Sequence, residues 1–312
     1  MTIVTLTANT ALDQTVFIDS YTPNLTIRAR ETVLSMAGKP TDASYILGQM
    51  GVRSRAMGFL AGVIGETIKT MLATVGVQPD FVRASGQSRI NTVIIAEADN
   101  THTTLTTTSL QVLPEHIDQL RERYDQALNN ASCVVMGGSL PTTMSPEFYT
   151  EFIALAAERG VPTILDVEGD NLRAGLKSSP TYIKPNEHEL AEFTGKTVNS
   201  LETAYAAGQH ILSEYGTSSI ITLGSRGALA VLPDRAYYAP AIPVDVVSPA
   251  GAGDAVLAGL ALAIERGEPI EEGIKQGIAM ASAVVMKPGT AVLDPEDARR
   301  FLPQVKLEPY TP

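Results

Sequence analysis

Between residues 114 and 223 short apolar runs alternate with amphipathic segments, and this rhythm constrains the fold more than any other feature. Pro114–Leu128 reads as a helix and Ser132–Met136 as a strand. Ser145–Arg159, closed by Gly160, reads as a helix, and Pro162–Val167 as a strand. Tyr182–Lys184 follows as a short strand, Asn186–Phe193 and Leu201–Tyr215 as helices, and Ser219–Leu223 as a strand. Such alternation predicts an α/β fold, a mostly parallel sheet covered on both faces. Ligands of such sheets bind beyond the carboxyl ends of the strands.

The first hundred residues depart from that rhythm. Thr2–Leu6 reads as a strand that leads into Asn9-Thr10-Ala11-Leu12-Asp13. Thr15–Ile18 and Glu31–Leu34 are β-like with no helical period between them. A helix from about Thr41 to Met50 ends at Gly51, Arg55–Leu60 reads as a strand, and Glu66–Val75 as a helix. Asn91–Glu97 and His102–Thr108 predict a hairpin around Asp99-Asn100. The two β-only stretches, residues 14–35 and 89–109, fit no strand–helix unit. They predict one small sheet built from two insertions, lying over the site as a lid. No linker or repeat divides the chain, so residues 1–312 are expected to form one domain.

Charge and cysteine usage exclude several functions. The formal net charge is -11 without any Lys or Arg run, which argues against a nucleic-acid or anionic-membrane partner. Cys133 is the only cysteine and lies in an apolar run, as a buried strand thiol does. His102, His116, His188 and His210 share no metal-ligand spacing, so no zinc site is expected. Met1–Thr7 lacks a basic leader, and no run of roughly 18 apolar residues occurs. A cytoplasmic protein is the expectation.

The chemistry concentrates at Ser248-Pro249-Ala250-Gly251-Ala252-Gly253-Asp254, which follows a β-like Pro243–Val247 and opens a helix stopping at Gly267. A glycine-rich turn entering a helix leaves backbone N–H groups pointing one way, which makes an anion site. Asp254 would repel a phosphate there, unless its carboxylate takes a proton from a hydroxyl while the backbone steadies a phosphoryl group in transit. The plain alternative is a first-turn acid favourable to the helix dipole. Asn186-Glu187-His188-Glu189 reads either as a capping box or as a carboxylate orienting a hydrated Mg²⁺. Gly224-Ser225-Arg226-Gly227 and Gly137-Gly138-Ser139-Leu140-Pro141 each follow a strand and could be plain turns. Ala279 and Ala283 share one helix face, suited to close packing or to the wall of an adenine slot.

In this order, the motifs resemble the PfkB branch of the ribokinase-like sugar kinases, particularly the 1-phosphofructokinase and tagatose-6-phosphate kinase group, over nearly the whole chain. Asn9–Asp13 is similar to that group's Asn-Pro-Ala-Leu-Asp, and Ser88-Arg89-Ile90-Asn91 to its Thr-Arg-Ile-Asn. Gly138-Ser139-Leu140-Pro141 matches Gly-Ser-Leu-Pro, and Lys184-Pro185-Asn186 with Glu189 matches Lys-Pro-Asn-x-x-Glu. Ser248–Ala261 satisfies the carboxyl-terminal signature.

The resemblance implies a ribokinase-like three-layer αβα core with a β lid, and transfer of the γ-phosphoryl of ATP to a sugar hydroxyl. Asp254 would be the base, with the Gly251–Gly253 loop, through the N–H groups of Ala252 and Gly253, as anion hole. Mg²⁺ would be held through water near Asn186 and Glu189. The nucleotide would lie along Lys184, Thr222, Gly224, Gly227 and the helix of Ala279 and Ala283. Asp13, from the first strand, would bind sugar hydroxyls; Gly38, Asp42 and Asn91 lie in the acceptor motifs. Lys39 and Arg89 would be the cations for a sugar phosphate. A homodimer is expected through lid exchange.

One motif departs from the group. The pattern Gly-Gly-Lys-Gly-x-Asn-x-Ala here reads Ala37-Gly38-Lys39-Pro40-Thr41-Asp42-Ala43-Ser44. Pro40 removes an N–H, and Asp42 replaces an amide by an acceptor-only anion that would repel a sugar phosphate close to it. Ile27 stands where the group has Asn. Three readings follow: a sugar or sugar-phosphate kinase, a kinase of an unphosphorylated or cationic acceptor, and a non-catalytic nucleotide- or metabolite-binding protein.

Overall fold

The structure, a computed structural model, describes residues 1–99, 101–107 and 110–312. Its main sheet has ten strands. From one edge, Gln78–Arg83, Ser54–Leu60, Thr2–Thr7, Ala131–Gly137, Thr163–Asp166, Tyr182–Ile183 and Ser218–Thr222 run parallel. Ala228–Val231, Ala236–Ala239 and Glu308–Pro309 complete the other edge antiparallel.

Side-chain alternation along these strands builds two cores. On Ala131–Gly137, Val134 and Met136 join Leu120, Phe152 and Ile211 of the helices on one face. Cys133 and Val135 point the other way, to Ile46, Leu257 and Ile274. Burial on both faces explains why the central strands are unbroken apolar runs. The helix Ala252–Arg266 is buried at every position from Asp254 to Ala263. It packs tightly on Ile270–Val284: a Cβ at Gly259 would stand 2.3 Å from the backbone nitrogen of Gly277.

The two β-only stretches lie in a four-stranded sheet ordered Glu31–Ala37, Ala11–Ile18, Arg89–Ala96, Thr101–Leu105. The outer pairs are antiparallel and the central pair parallel. The register sets Asp13 opposite Ser35 on one side and Asn91 on the other. Asp13 therefore belongs to a lid strand, a correction to its assignment to the first strand. Asn100 of the expected hairpin turn, Thr108 at the end of its second strand, and Ser109 lie outside the described residues.

Two further differences bear on the site. Pro243–Val247 is not a strand: Pro243 lacks a donor, and the N–H groups of Val247 and Ser248 bond to Val285 O at the end of a helix. The first helix is Lys39–Gln49, two residues longer at its start than expected, and Pro40 occupies its first turn. A missing N–H costs no helical bond there, so Pro40 is compatible with the helix. Among the described residues, no helix is long and apolar enough to cross a membrane.

Candidate active site

The glycine turn sits beyond the carboxyl ends of the parallel strands. Gly251 caps the Ala252–Arg266 helix at φ 83°, a conformation that favours glycine. A Cβ there would meet the backbone nitrogen of Ala291 at 2.6 Å, so the turn is closed from behind by the 289–293 segment. Asp254 lies in the first turn and is buried. Burial, then the negative charges of Asp166 and Asp13, outweigh Lys184 and Lys39 and push its carboxyl up to about 7. A carboxyl poised there can accept a proton near neutral pH.

Behind this turn stands a row of alternating charges. Lys184 Nζ lies 3.0 Å from Asp166 Oδ2, and 3.2 Å from where a Cβ on Gly253 would be. Lys39 Nζ donates to Asp166 Oδ1 at 2.9 Å and to Glu189 Oε1 at 3.1 Å. Burial opposes the ionisation of Asp166, but Lys184 and Lys39 prevail and hold it below the usual carboxylate range. Burial likewise opposes the charge on Lys39, and Asp166 and Glu189 keep it protonated. Lys39, expected beside the acceptor's phosphate, is thus committed to two carboxylates. Glu189 also completes the capping box: its Oε2 accepts from Asn186 N at 2.8 Å, while Asn186 Oδ1 accepts from the N–H groups of His188 and Glu189.

The acceptor-motif residues gather under the lid. Asn91 Nδ2 donates to Asp13 Oδ1 and Thr290 Oγ1 to Asp13 Oδ2, both at 2.8 Å. Burial raises the Asp13 carboxyl in spite of these donors. Thr290 N in turn donates to Ser35 Oγ, so one segment holds two of the four lid strands to the body. Arg89 reaches Ser139 Oγ at 3.3 Å, and Asn9 Nδ2 donates to the same hydroxyl at 3.2 Å. Arg89 Nε has no partner among the described residues, which leaves a donor for an anion. Gly38 precedes the Lys39 helix at φ 104°, and Asp42 is buried in its first turn.

A cavity of about 680 Å³ opens beside Ala252 and Gly253. Asn186, Thr222, Gly224 and Gly227 line it together with Ile242, Val244 and the Ile278, Ala281, Ser282 and Val285 face of the late helix. Ala279 and Ala283 lie on the opposite face, fully packed in the core against the 252–266 helix. The Gly224–Gly227 turn joins two antiparallel strands and is also cavity wall, with Tyr238 Oη bonded to Arg226 O at 2.7 Å. The turn is thus a strand connection and a cavity wall at once.

The family model of the pfkB carbohydrate kinases matches residues 6–297. The chain belongs to that family. A 1-phosphofructokinase of Bacillus subtilis is 28% identical over 307 residues, which cover 98% of this chain and 99% of that one. A tagatose-6-phosphate kinase of Staphylococcus epidermidis is 27% identical over 308 residues, 98% and 99% of the two chains. The crystal structure of Escherichia coli phosphofructokinase-2 in complex with potassium matches with a TM-score of 0.89. That match covers 97% of this chain and 98% of that one at 24% identity, and speaks for the fold.

For a pfkB carbohydrate kinase, three polar residues of this site escape a reading of the sequence. Asp166 ends a parallel strand, the position where such sheets place functional groups, and that signal could have singled it out. Ser139 lies in a motif quoted for the resemblance, without a role of its own. Thr290 carries no local signal, because its partner Asp13 is 277 residues away in the chain.

Proposed function

We propose that this chain is an ATP-dependent kinase of a phosphorylated sugar, of the 1-phosphofructokinase and tagatose-6-phosphate kinase type. The observation that carries the reading is Asp254, buried in the first turn beside the Gly251–Gly253 loop, with the Arg89–Ser139 pair available to an anion. The acceptor hydroxyl gives its proton to the Asp254 carboxylate as its oxygen bonds to the γ-phosphorus. The bond from that phosphorus to the β,γ-bridging oxygen breaks, and ADP leaves. The N–H groups of Ala252 and Gly253 and the Lys184 ammonium stabilise charge on the moving phosphoryl group. Asp13 and Asn91 orient the sugar hydroxyls, and Arg89 with Ser139 takes the sugar's phosphate. Positioning of this kind accounts for most of the rate in phosphoryl transfer.

The donor set fits a hydrated magnesium ion carried in on the nucleotide. Both Glu189 carboxylate oxygens and Asn186 Oδ1 already accept protein donors, which favours contact through water. Among the described residues, no group of ≥ 3 His, Cys, Asp or Glu could hold a metal unaided. When bound with ATP, Mg²⁺ supplies charge neutralisation on the phosphates. Leu34 and Leu105, 47% and 54% exposed on the lid, support a homodimer joined through that sheet.

The test is ATP consumption with Mg²⁺ against fructose 1-phosphate, fructose 6-phosphate, tagatose 6-phosphate, free hexoses, ribose and nucleosides. Turnover of a phosphorylated ketose is expected. Turnover confined to unphosphorylated acceptors, or ATP binding with none, overturns the reading.

A further inference from the structure

One group on the acceptor side has no part in that chemistry. Asp42 is 2% exposed, and its Oδ1 has no hydrogen-bond partner among the described residues. Its carboxyl meets the Asp254 carboxyl side chain to side chain, and Asp13 of the lid strand also faces it. The lysines of the site are engaged elsewhere, both with Asp166, and Arg89 is turned to Ser139 and Asn9 with its Nε left over.

The Gly38 N–H favours the ionised form of Asp42, but the strands packed under its helix add no free cation. Thr2–Thr7 and Ala131–Gly137 carry no charged residue, Arg55 of Ser54–Leu60 is bonded to Asp80, and Glu31–Ala37 contributes only Glu31. Neighbouring carboxyl groups shielded from water resist ionising together, which favours one proton between the pair.

We propose that Asp42 is a neutral carboxylic acid in the working enzyme, a donor that positions Asp254 and lets an anionic acceptor in. This rests on the sugar-phosphate reading above and deepens it. A protonated aspartic acid presents one O–H donor and one acceptor oxygen, as an asparagine amide presents N–H and C=O. The donor of the amide replaced in the family pattern is thereby kept, and no charge is added. The repulsion expected from the sequence between Asp42 and a sugar phosphate then does not arise.

Burial, followed by Asp254 and Asp13, raises the Asp42 carboxyl well above its usual range, in the direction the proposal needs. With the Asp42 proton donated to one Asp254 oxygen, the other oxygen is free to take the acceptor's proton. The sign follows directly. The neutral form is the working one, so activity is present below the Asp42 titration and lost as pH rises through it.

The test compares full-length wild type, Asp42→Asn and Asp42→Ala by infrared spectroscopy and by steady-state kinetics. On the alkaline side of the Asp254 titration at about 7, the wild type is expected to show a protonated-carboxyl band that Asp42→Asn lacks. With the sugar phosphate that reacts, wild-type kcat/KM is expected to fall about tenfold per pH unit on the alkaline side. Asp42→Asn is expected to lose that limb, and to exceed Asp42→Ala by roughly tenfold or more because it retains a donor. Absence of the band in the wild type, the same alkaline limb in Asp42→Asn, or equal activity of the two variants overturns the proposal. Failure of every sugar phosphate to react defeats the kinase reading instead, and the infrared comparison still decides the state of Asp42.

Discussion

The two halves of the site are built by opposite means. The 680 Å³ cavity, where the proposed function puts the nucleotide, is walled largely by aliphatic side chains and glycine turns, and its Ser282 hydroxyl is spent on Ile278 O of its own helix. The acceptor side is a knot of polar groups, with Asp42, Asn91 and Asp254 each at most 9% exposed and Asp13 half-buried beside them. A wall of shape and backbone tolerates exchange of side chains, because few of them carry a specific bond. A pocket of partnered charges does not, because removing one member leaves another buried and unsatisfied. Departures from the family pattern therefore carry more information on the acceptor side, where Pro40 and Asp42 lie.

The sharpest way to break this contrast is Asp254→Asn. It should lower kcat by roughly a hundredfold to ten-thousandfold, with the ATP dissociation constant nearly unchanged. In the wild type, kcat should fall as pH drops through about 7, where the raised Asp254 carboxyl takes up its proton. A variant that retains full turnover removes Asp254 from the chemistry.

Arg89→Ala should have the next largest effect, on the acceptor alone. Loss of a charge-assisted bond to a phosphate predicts a rise in KM for the sugar phosphate of roughly tenfold to a hundredfold, and little change for ATP. Equal losses for both substrates, measured in initial rates, would blur the division into halves. The smallest effect is expected on the donor wall: Ser282→Ala should alter KM for ATP by less than about twofold, since its hydroxyl faces its own helix. A tenfold change there would mean that the wall reads the nucleotide through that side chain after all.

What could be read from the sequence depended on how local each feature is. The Asn186–Glu189 box and the Gly251–Asp254 turn are complete within a few residues, and both form as their spacing predicts. The lid could be foreseen because two stretches lack helical period, but its parallel central pairing, which brings Asp13 to Asn91, arises between distant strands. The late helix was legible as a helix; which face borders the cavity was not. Packing of Gly277 against Gly259 turns Ala279 and Ala283 inward and leaves Ala281 and Ser282 on the wall. Pro243–Val247 has strand-like composition, yet its donors are taken by Val285 O rather than by a neighbouring strand.

The layered α/β architecture, the glycine turn at the start of the 252–266 helix and the position of its acid follow from the sequence alone, since periodicity and turn chemistry act over short range. Only the tertiary structure decided the electrical state of that acid's surroundings. Lys39 is drawn to Asp166 and Glu189, and Asp42 is pressed against Asp254. Whether a carboxyl is charged depends on which charges surround it and how much water reaches it, and both are fixed by packing between residues far apart in the chain.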